Sequence, residues 1–466
     1  MPLLDSADPR PVHFVGIAGA GMSALAELFV RRGVKVTGCD ANPTGVDDLR
    51  RLGIDVGTHD PAHVAGVRAL VVTSAMPKDH PELLRARERN VPVVRRAEAL
   101  GEVTRGRELV GVAGTHGKTT TTVMTAEALA AAGRDPTALV GGRVGAWSGN
   151  LRGGGDRLYV VEADEYDRSF LALSPTVAVV TNIEADHLDI YADLADIRGA
   201  FSRFVSGART IVLCGEDEGA VGMRLPTGTE VIRYAIADDN NPGASARDAR
   251  LVARSPRVSG AGATFELEFD GEPLGIVTLS VPGRHNILNA LGALGGGLAL
   301  GAPAADLARG LASFHGVERR FQLVGEARGV TILDDYAHHP TEIAATLAAA
   351  RGKFPSRRIL VAFQPHLFSR TRDFARDFAA ALSAADALYL TEIYPSRERP
   401  IPGVTSSLIA DEVRAAGGRL AWRGERRDLA TGLAGDARDG DVVILMGAGD
   451  ITQSGPELLA LLRERR

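Results

Sequence analysis

At three separate starts along the chain, a run of β-branched and apolar residues hands over to a helix. The first is VHFVGIAGAGMSALAELFVRRGVKVTGCD, in which a strand ends in glycines, an amphipathic helix follows, and a second strand closes on Asp40. That is a βαβ unit of about the length such units need. The second start, RELVGVAGTHGKTTTTVMTAEALAAAG, is again strand, glycine loop and helix, with Gly133 as the helix stop. The third is GVTILDDYAHHPTEIAATLAAARGKFPSRRILVAFQPH, and the chain closes on a strand, glycine turn and helix in GDVVILMGAGDITQSGPELLALLRERR. Strand alternating with helix throughout predicts an α/β protein built on doubly wound, mostly parallel sheets. Such sheets take their ligands beyond the carboxyl ends of the strands.

A length of 466 residues fits about three domains. The three starts divide the chain into residues 1–106, Rossmann-like; 107–322, P-loop ATPase-like; and 323–466, Rossmann-like again. Between residues 219 and 282 the pattern changes. A polar stretch, ADDNNPGASARDAR, precedes ATFELEFDGEPLGIVTLSV, where Thr264 to Phe269 alternate apolar and polar and DGEP reads as a hairpin connection. A small antiparallel appendage on the central domain is the expectation.

Apolar residues at 45% allow sizeable cores, and a net charge of −5 gives no electrostatic footprint for nucleic acid. Cys39 and Cys214 are the only cysteines; they define neither a disulfide framework nor a zinc spacing and fit a reducing compartment. The N-terminus, MPLLDSADPR, lacks the basic start and apolar core of a signal peptide. The most apolar segment near it contains Glu27 and is too short to span a bilayer. These features predict a soluble cytoplasmic protein without membrane insertion.

The stretch GVAGTHGKTT, Gly111 to Thr120, nearly matches the phosphate-binding pattern G-x-x-x-x-G-K-[ST], but Val112 stands where the first glycine belongs. A phosphate cradle needs inward backbone N–H groups, a helix N-terminus and a cation. Gly111, Gly114 and Gly117 let the backbone approach, Lys118 brings the charge, and the Thr119 hydroxyl can reach a magnesium ion. The bland alternative is a structural turn with an incidental lysine; the strand before and the helix after favour a nucleotide site. Two acidic clusters follow at successive strand ends: Glu162, Asp164, Glu165 and Asp167 in VVEADEYD, then Asn182, Glu184, Asp186 and His187 in VVTNIEADHLDIY. They read either as solvated loop charges or as the remaining ligands of a magnesium nucleotide.

The first glycine loop, VGIAGAGMS, departs from the dinucleotide fingerprint G-x-G-x-x-G, because Gly16, Gly19 and Gly21 are spaced G-x-x-G-x-G with Ala18 in the second glycine's place. Asp40 stands where dinucleotide enzymes keep an acid for the ribose. The spacing weakens a nicotinamide reading but leaves room for a diphosphate, with a tight structural turn as the alternative. Two phosphate sites in two domains make transfer from one to the other plausible.

Taken together, HFVGIAGAGMSALA, GTHGKTTTT, VEADEYDRSF, TNIEADHLDIY, PGRHNILNA, RRFQLVGE, LDDYAHHPTEI, FQPHLFSRTRDF and PIPG resemble, in order and over essentially the whole chain, the Mur ligases of peptidoglycan precursor synthesis. The shortened loop G-T-x-G-K-[ST] is the form that family uses, and His116 within it points to the alanine-adding branch. The resemblance implies an ATP-dependent carboxylate–amine ligase with ATP and Mg2+ as cofactors and UDP-N-acetylmuramate and L-alanine as substrates. It implies an acyl phosphate on the muramate carboxylate, attack by the amine, and a tetrahedral intermediate that expels phosphate.

By the same resemblance, Gly114, Thr115, His116, Gly117, Lys118, Thr119 and Thr120 bind ATP, with Asn286 (His285 beside it) near the adenine and Asp335 and Tyr336 on the nucleotide side of the last domain. Lys118 neutralises charge on the γ-phosphoryl group, Thr119 and Glu162 hold one magnesium ion, and His187 helps hold a second metal. Arg320, with Arg319 the alternative, reaches the γ-phosphate. Gly16, Gly19, Ala20, Gly21, Met22, Ser23 and Asp40 cradle the UDP end of the substrate. His338 and Arg370 stand at the amino-acid end, where a carboxylate wants an arginine and an attacking amine must lose a proton. Leu367 occupies a position where relatives often carry an arginine, so that end departs from the family pattern.

Three other readings compete. A recycling ligase that adds a whole tripeptide to the same UDP-muramate shares His116 and the HHPT block, but its first glycine loop lacks the AGMS ending. A nicotinamide oxidoreductase leaves Lys118 and both acidic clusters without work. A non-catalytic nucleotide switch has no need of Lys118, Thr119, Glu162 and His187 together.

Overall fold

A computed structural model of the chain describes residues 2–73, 76–237, 244–396 and 398–464. Part of the polar stretch before the appendage, residues 238–243, lies outside the described residues. Over the described residues the chain forms two compact units: Met1–Pro256, Thr264–Leu279 and Asn286–Phe314 in one, and Arg257–Ala263, Ser280–His285 and His315–Arg466 in the other. Three sheets run through them, as the three strand-to-helix starts predict, and the first two sheets share the first unit.

The first sheet has five parallel strands in the spatial order Asp55–Gly57, Val36–Cys39, Val12–Val15, Ala69–Val72, Val93–Arg95. The order reverses beside Val12–Val15, so the glycine loop that follows this strand sits at the topological switch point. Helix Ala20–Arg31 leaves that loop with Met22, Leu25, Leu28 and Phe29 fully buried. Each such side chain stabilises by about 1.5–3 kcal/mol through removal from water. The helix packs on strand Thr137–Val144 of the second sheet. Next to it, Arg32 donates to the carbonyl of Gly155 at 2.7 Å and to the Thr137 hydroxyl at 3.2 Å. One continuous apolar core therefore runs from Val12 and Phe14 to Val161 and Val180.

The second sheet has ten strands, in the order Glu272–Leu279, Gly262–Phe269, Leu251–Ser259, Glu230–Ala237, Thr210–Cys214, Val177–Val180, Glu108–Ala113, Leu158–Glu162, Thr137–Val144, Gly149–Arg152. From Leu251–Ser259 to Thr137–Val144 the neighbours are parallel. The expected appendage forms one edge. Its DGEP connection is a two-residue turn in which Asp270 and Gly271 have φ of 52° and 85°. Two positive φ values in succession are the backbone of a tight hairpin whose twist matches its strands.

The third sheet lies in the second unit and is ordered Gln322–Ala327, Val330–Asp335, Val442–Met446, Ile359–Phe363, Ala387–Thr391, Leu420–Gly424. Only its first pair is antiparallel. No helix among the described residues is long and apolar enough to cross a membrane.

Candidate active site

The first glycine loop is held from below. The Ala18 N–H donates to Asp40 Oδ2 at 3.0 Å, and the other Asp40 oxygen accepts the Asn42 N–H at 3.1 Å. The acid that the sequence pattern assigns to a ribose thus also fixes the shape of the loop. Gly19 caps helix Ala20–Arg31 without a side chain, and no acid stands in the first turn. The N–H groups of Ala20 and Gly21 precede any intrahelical bond and carry the positive end of the helix dipole. Those of Met22 and Ser23 turn back to the Gly19 carbonyl at 2.9 and 2.8 Å, and the Ser23 hydroxyl donates to the Ala20 carbonyl. A Cβ at Gly21 would come within 2.9 Å of the Arg96 guanidinium, so a larger residue there would displace that side chain. Arg96 is a cation that the sequence reading missed; its pattern, an arginine opening a helix after an edge strand, carries no recognisable signature.

The second loop follows strand Glu108–Ala113 and opens helix Lys118–Ala131. Gly117 caps that helix with φ of 78°, and a Cβ there would meet Asn289 Oδ1 at 2.4 Å. Asn289 also accepts from the Thr121 hydroxyl at 3.2 Å and donates to Asn286 Oδ1 at 3.3 Å. The asparagine singled out from the sequence therefore stands behind a second one that touches the loop. The opposite side of the loop is pinned by Asn182, whose Oδ1 accepts the His116 N–H at 2.7 Å and whose carbonyl accepts the Thr115 N–H at 3.0 Å. His116 Nε2 lies 3.3 Å from Glu184. Thr115, Thr119 and Thr120 are all buried.

Lys118 Nζ donates to the carbonyls of Gly114 and Thr115 at 2.6 and 3.2 Å and to Glu165 Oε1 at 3.0 Å, with Oε2 at 2.8 Å. Burial acts to lower the Lys118 ammonium, but Glu165, Asp164 and Glu162 outweigh it and hold the pKa above the ordinary lysine value. Burial pushes the Glu165 carboxyl up to about 7 against the pull of Lys118. His187 Nε2 lies 3.8 Å from Glu165 Oε1, on a backbone with φ of 53°, a conformation that non-glycine residues hold only when the surroundings impose it. The Thr119 hydroxyl donates to Glu162 Oε1 at 2.8 Å, and the Gly141 N–H donates to Glu162 Oε2 at 2.6 Å. The structure thus brings Lys118, Thr119, Glu162 and His187 together and adds Glu165, which the sequence reading left in an unassigned acidic cluster.

A cavity of about 260 Å³ runs from the first loop to the strand end that carries Glu162. Gly19, Ala20, Gly21 and Met22 line one side, Gly141, Glu162 and Asp164 the other, and Thr73 and Arg96 stand on the wall. A ligand whose phosphates rest on the first helix therefore presents its far end to the carboxylate next to Thr119.

The remaining candidates lie in the second unit. Asp335 ends strand Val330–Asp335 and is turned inwards: its two oxygens accept the N–H groups of Phe321 and Ala337, both at 2.8 Å. Burial pushes its carboxyl up to about 6, against the pull of Arg320. It holds the segments that carry Arg320 and Tyr336, whose ring lies under both Arg319 and Arg320 at 4.9 and 5.1 Å. Arg319 is spent on the Gly447 carbonyl at 2.6 Å, whereas Arg320 reaches Glu342 at 3.4 Å. The His338 ring lies against Tyr336 and His366, with Nδ1 at 3.0 Å from the Tyr336 carbonyl. Arg370 is buried and reaches His366 at 3.4 Å. Leu367 is buried too, at φ of 73°, which turns its side chain into the core.

Comparison with known proteins adds an independent line. Three family models match in succession: Mur ligase family, catalytic domain, over residues 11–108; Mur ligase middle domain over 112–296; and Mur ligase, glutamate ligase domain, over 319–449. A protein of Acidothermus cellulolyticus named UDP-N-acetylmuramate–L-alanine ligase is 46% identical, over 97% of this chain and 95% of its own. The crystal structure of a UDP-N-acetylmuramate–alanine ligase from Thermotoga maritima superposes with a TM-score of 0.81 at 29% identity, covering 97% of this chain and 98% of that one. A murein peptide ligase from Psychrobacter arcticus superposes with a TM-score of 0.73 at 25% identity, over 98% and 99% of the two chains.

Proposed function

Because the chain belongs to the Mur ligase family, we propose how its residues divide the work of an ATP-dependent ligase that joins L-alanine to the carboxylate of UDP-N-acetylmuramate. Full-length similarity to enzymes named for L-alanine addition carries this activity and favours it over tripeptide addition. ATP is cleaved to ADP and phosphate. A free carboxylate is a poor acyl donor, because attack on it must expel an oxide; phosphorylation turns that oxygen into a leaving group. The amine of L-alanine then adds to the acyl carbon, and the tetrahedral intermediate collapses to an amide and phosphate.

In our reading Gly19, Ala20, Gly21 and Arg96 hold the diphosphate of the sugar nucleotide, and Asp40 keeps the loop in shape for it. The loop from Gly114 to Thr120 cradles the ATP phosphates, with Asn289 and Asn286 on the nucleoside side. Lys118 exchanges its contacts with the Gly114 and Thr115 carbonyls for the γ-phosphoryl oxygens and neutralises the charge that develops there. The cavity that runs from the first loop to Glu162 supports this division, since it leads the muramate end toward the carboxylate that accepts from Thr119.

Mg2+ fits the donors present: the Thr119 hydroxyl and the Glu162 carboxylate are hard oxygen ligands side by side, with Glu165 and His187 next to them. Bound there, the ion would neutralise phosphate charge and align the transferred group. In the second unit, we assign Arg320, which reaches Glu342 at 3.4 Å, to the γ-phosphate in preference to Arg319, which donates to the Gly447 and Gly449 carbonyls. We assign His338 to accept the proton of the alanine amine and Arg370 to the amino-acid carboxylate. We keep domain limits at residues 1–106, 107–322 and 323–466; the first falls between the strands of the first two sheets, whereas the second cuts the third sheet's edge strand, which begins at Gln322. The use of ATP and a sugar nucleotide supports a cytoplasmic location.

The test is phosphate release from ATP with UDP-N-acetylmuramate and L-alanine, glycine, L-serine or the tripeptide in turn. L-Alanine should give the fastest release and a product heavier by one alanyl residue. Faster release with the tripeptide would overturn the assignment.

A further inference from the structure

Four side chains that the ligase chemistry leaves unused converge on one face of the first sheet. His13 lies on strand Val12–Val15, Cys39 ends strand Val36–Cys39, His63 belongs to the helical turn Pro61–Val64, and Glu82 sits in the first turn of helix Pro81–Glu88. One ligand atom from each lies within 4.8 Å of all the others. Cys39 Sγ is 3.4 Å from His13 Nε2 and 3.2 Å from Glu82 Oε1, and the same oxygen is 3.0 Å from His63 Nδ1. Around a tetrahedral zinc ion, with bonds of about 2.0–2.1 Å to N and O and about 2.3 Å to S, neighbouring ligand atoms stand about 3.3–3.6 Å apart. Those three edges need change by only a few tenths of an ångström, and the others close inward by at most about 1.5 Å.

Charge points the same way. His13, Cys39 and Glu82 are 1%, 0% and 0% exposed. A buried carboxylate is costly unless hydrogen bonds or a counter-charge compensate it, and a cation at this point would add the counter-charge. A divalent cation bound by the Glu82 carboxylate, the Cys39 thiolate and two neutral imidazoles makes a cluster of net charge zero. The surroundings resemble the outer support that metal ligands receive. His13 Nδ1 is bonded to the Thr37 hydroxyl at 2.8 Å, which leaves Nε2 facing Cys39, and the Asp60 N–H holds Glu82 Oε1 at 2.9 Å. His59 and His80 form a neighbouring trio with the same Glu82; His59 Nδ1 also lies 3.1 Å from Cys39 Sγ, but His59 is not one of the four whose ligand atoms all lie within 4.8 Å of one another.

We propose that His13, Cys39, His63 and Glu82 bind a divalent cation of the zinc class, which ties the turn Pro61–Val64 and helix Pro81–Glu88 to the first sheet. Thiolate and imidazole ligands select such ions over the magnesium suited to Thr119 and Glu162. On binding, the Cys39 S–H bond breaks, its proton passes to solvent and a metal–sulfur bond forms; no electrons are transferred.

The test is a titration of the full-length, tag-free chain with cobalt(II), without nucleotide and after dialysis against a chelator. One equivalent should produce a thiolate-to-cobalt charge-transfer band in the near ultraviolet with tetrahedral visible bands, and zinc should bleach both. Cys39→Ser should abolish the charge-transfer band, and His13→Gln, His63→Asn or Glu82→Gln should each weaken binding about tenfold or more. His59→Asn and Glu162→Gln should keep the band. Absence of the band in the wild-type chain overturns the proposal whatever the variants do. So does its survival in Cys39→Ser, or its loss in His59→Asn with retention in His13→Gln.

Discussion

The two glycine loops of the first unit solve the same backbone problem and are furnished for different tasks. Each follows a buried strand, opens a helix and uses a glycine where a neighbouring side chain presses close, Arg96 on Gly21 and Asn289 on Gly117. Around the first loop the polar groups are few: Asp40 fixes Ala18 and Arg96 supplies one positive charge. Around the second, a buried lysine, three carboxylates, a threonine and a histidine crowd into one network. A finished diphosphate needs only N–H groups and modest charge to hold it, and holding it equally in ground and transition states contributes binding rather than rate. A phosphoryl group in flight needs charge placed where charge develops. The difference teaches that the loop backbone marks a phosphate site, while its side-chain company tells a grip from a reaction centre.

The sharpest way to break this contrast is Lys118→Ala. Turnover should fall about 10³-fold or more, because the cation aimed at the transferred group is gone. Stability should fall as well, by about 3–5 kcal/mol, unless Glu165 takes up a proton once its partner is lost. A variant within about tenfold of wild-type turnover would place the two loops on the same footing. Steady-state kinetics and thermal unfolding read the two effects.

Next in size, Glu162→Gln and Thr119→Ala should each lower kcat about 10²-fold and raise the Mg2+ concentration needed for half-maximal rate. A loss of rate with unchanged Mg2+ dependence would remove these side chains from the metal site. At the first loop the effect is smaller and of another kind. Asp40→Ala and Arg96→Ala should raise the KM for UDP-N-acetylmuramate about tenfold with kcat almost unchanged, the signature of lost uniform binding. If kcat falls as far as KM rises, the first loop does more than grip.

How much of this was legible in the sequence follows the same line. The strand-to-helix starts and the Asp270–Gly271 hairpin are local and could be read from spacing, while the pairing of Thr119 with Glu162 came from the family resemblance. What spacing could not give is contact between segments far apart in the chain. Glu165 meets Lys118 because two neighbouring parallel strands end side by side, and Asn289 reaches Gly117 across 172 positions of chain (289 − 117). Arg96 has no motif of its own. Asp40 and Asp335 look alike in sequence, each an acid at a strand end, yet both spend carboxylate oxygens on backbone N–H groups, a role that no single-residue pattern announces. The His13–Cys39–His63–Glu82 cluster was invisible for the same reason, since its members come from four separate elements and share no metal-binding spacing.

Asp335 offers the mildest check, away from both loops. Burial raises its folded pKa to about 6 from an ordinary 3.8, so the folded chain keeps a proton that the unfolded chain releases. Its protonated form therefore contributes stability that is full below about pH 4 and is lost as pH rises through about 6. Against an Asp335→Asn variant, the wild-type chain should lose about 2–3 kcal/mol of unfolding free energy between those values. Parallel pH profiles for the two would mean that the carboxyl faces water.

The most direct test of the whole account follows one oxygen. UDP-N-acetylmuramate labelled with 18O in its lactyl carboxylate, turned over with ATP and L-alanine, should give inorganic phosphate that carries one labelled oxygen per turnover. That oxygen can reach phosphate only if the carboxylate was phosphorylated. Unlabelled phosphate, released at the same rate as the amide, would contradict the account.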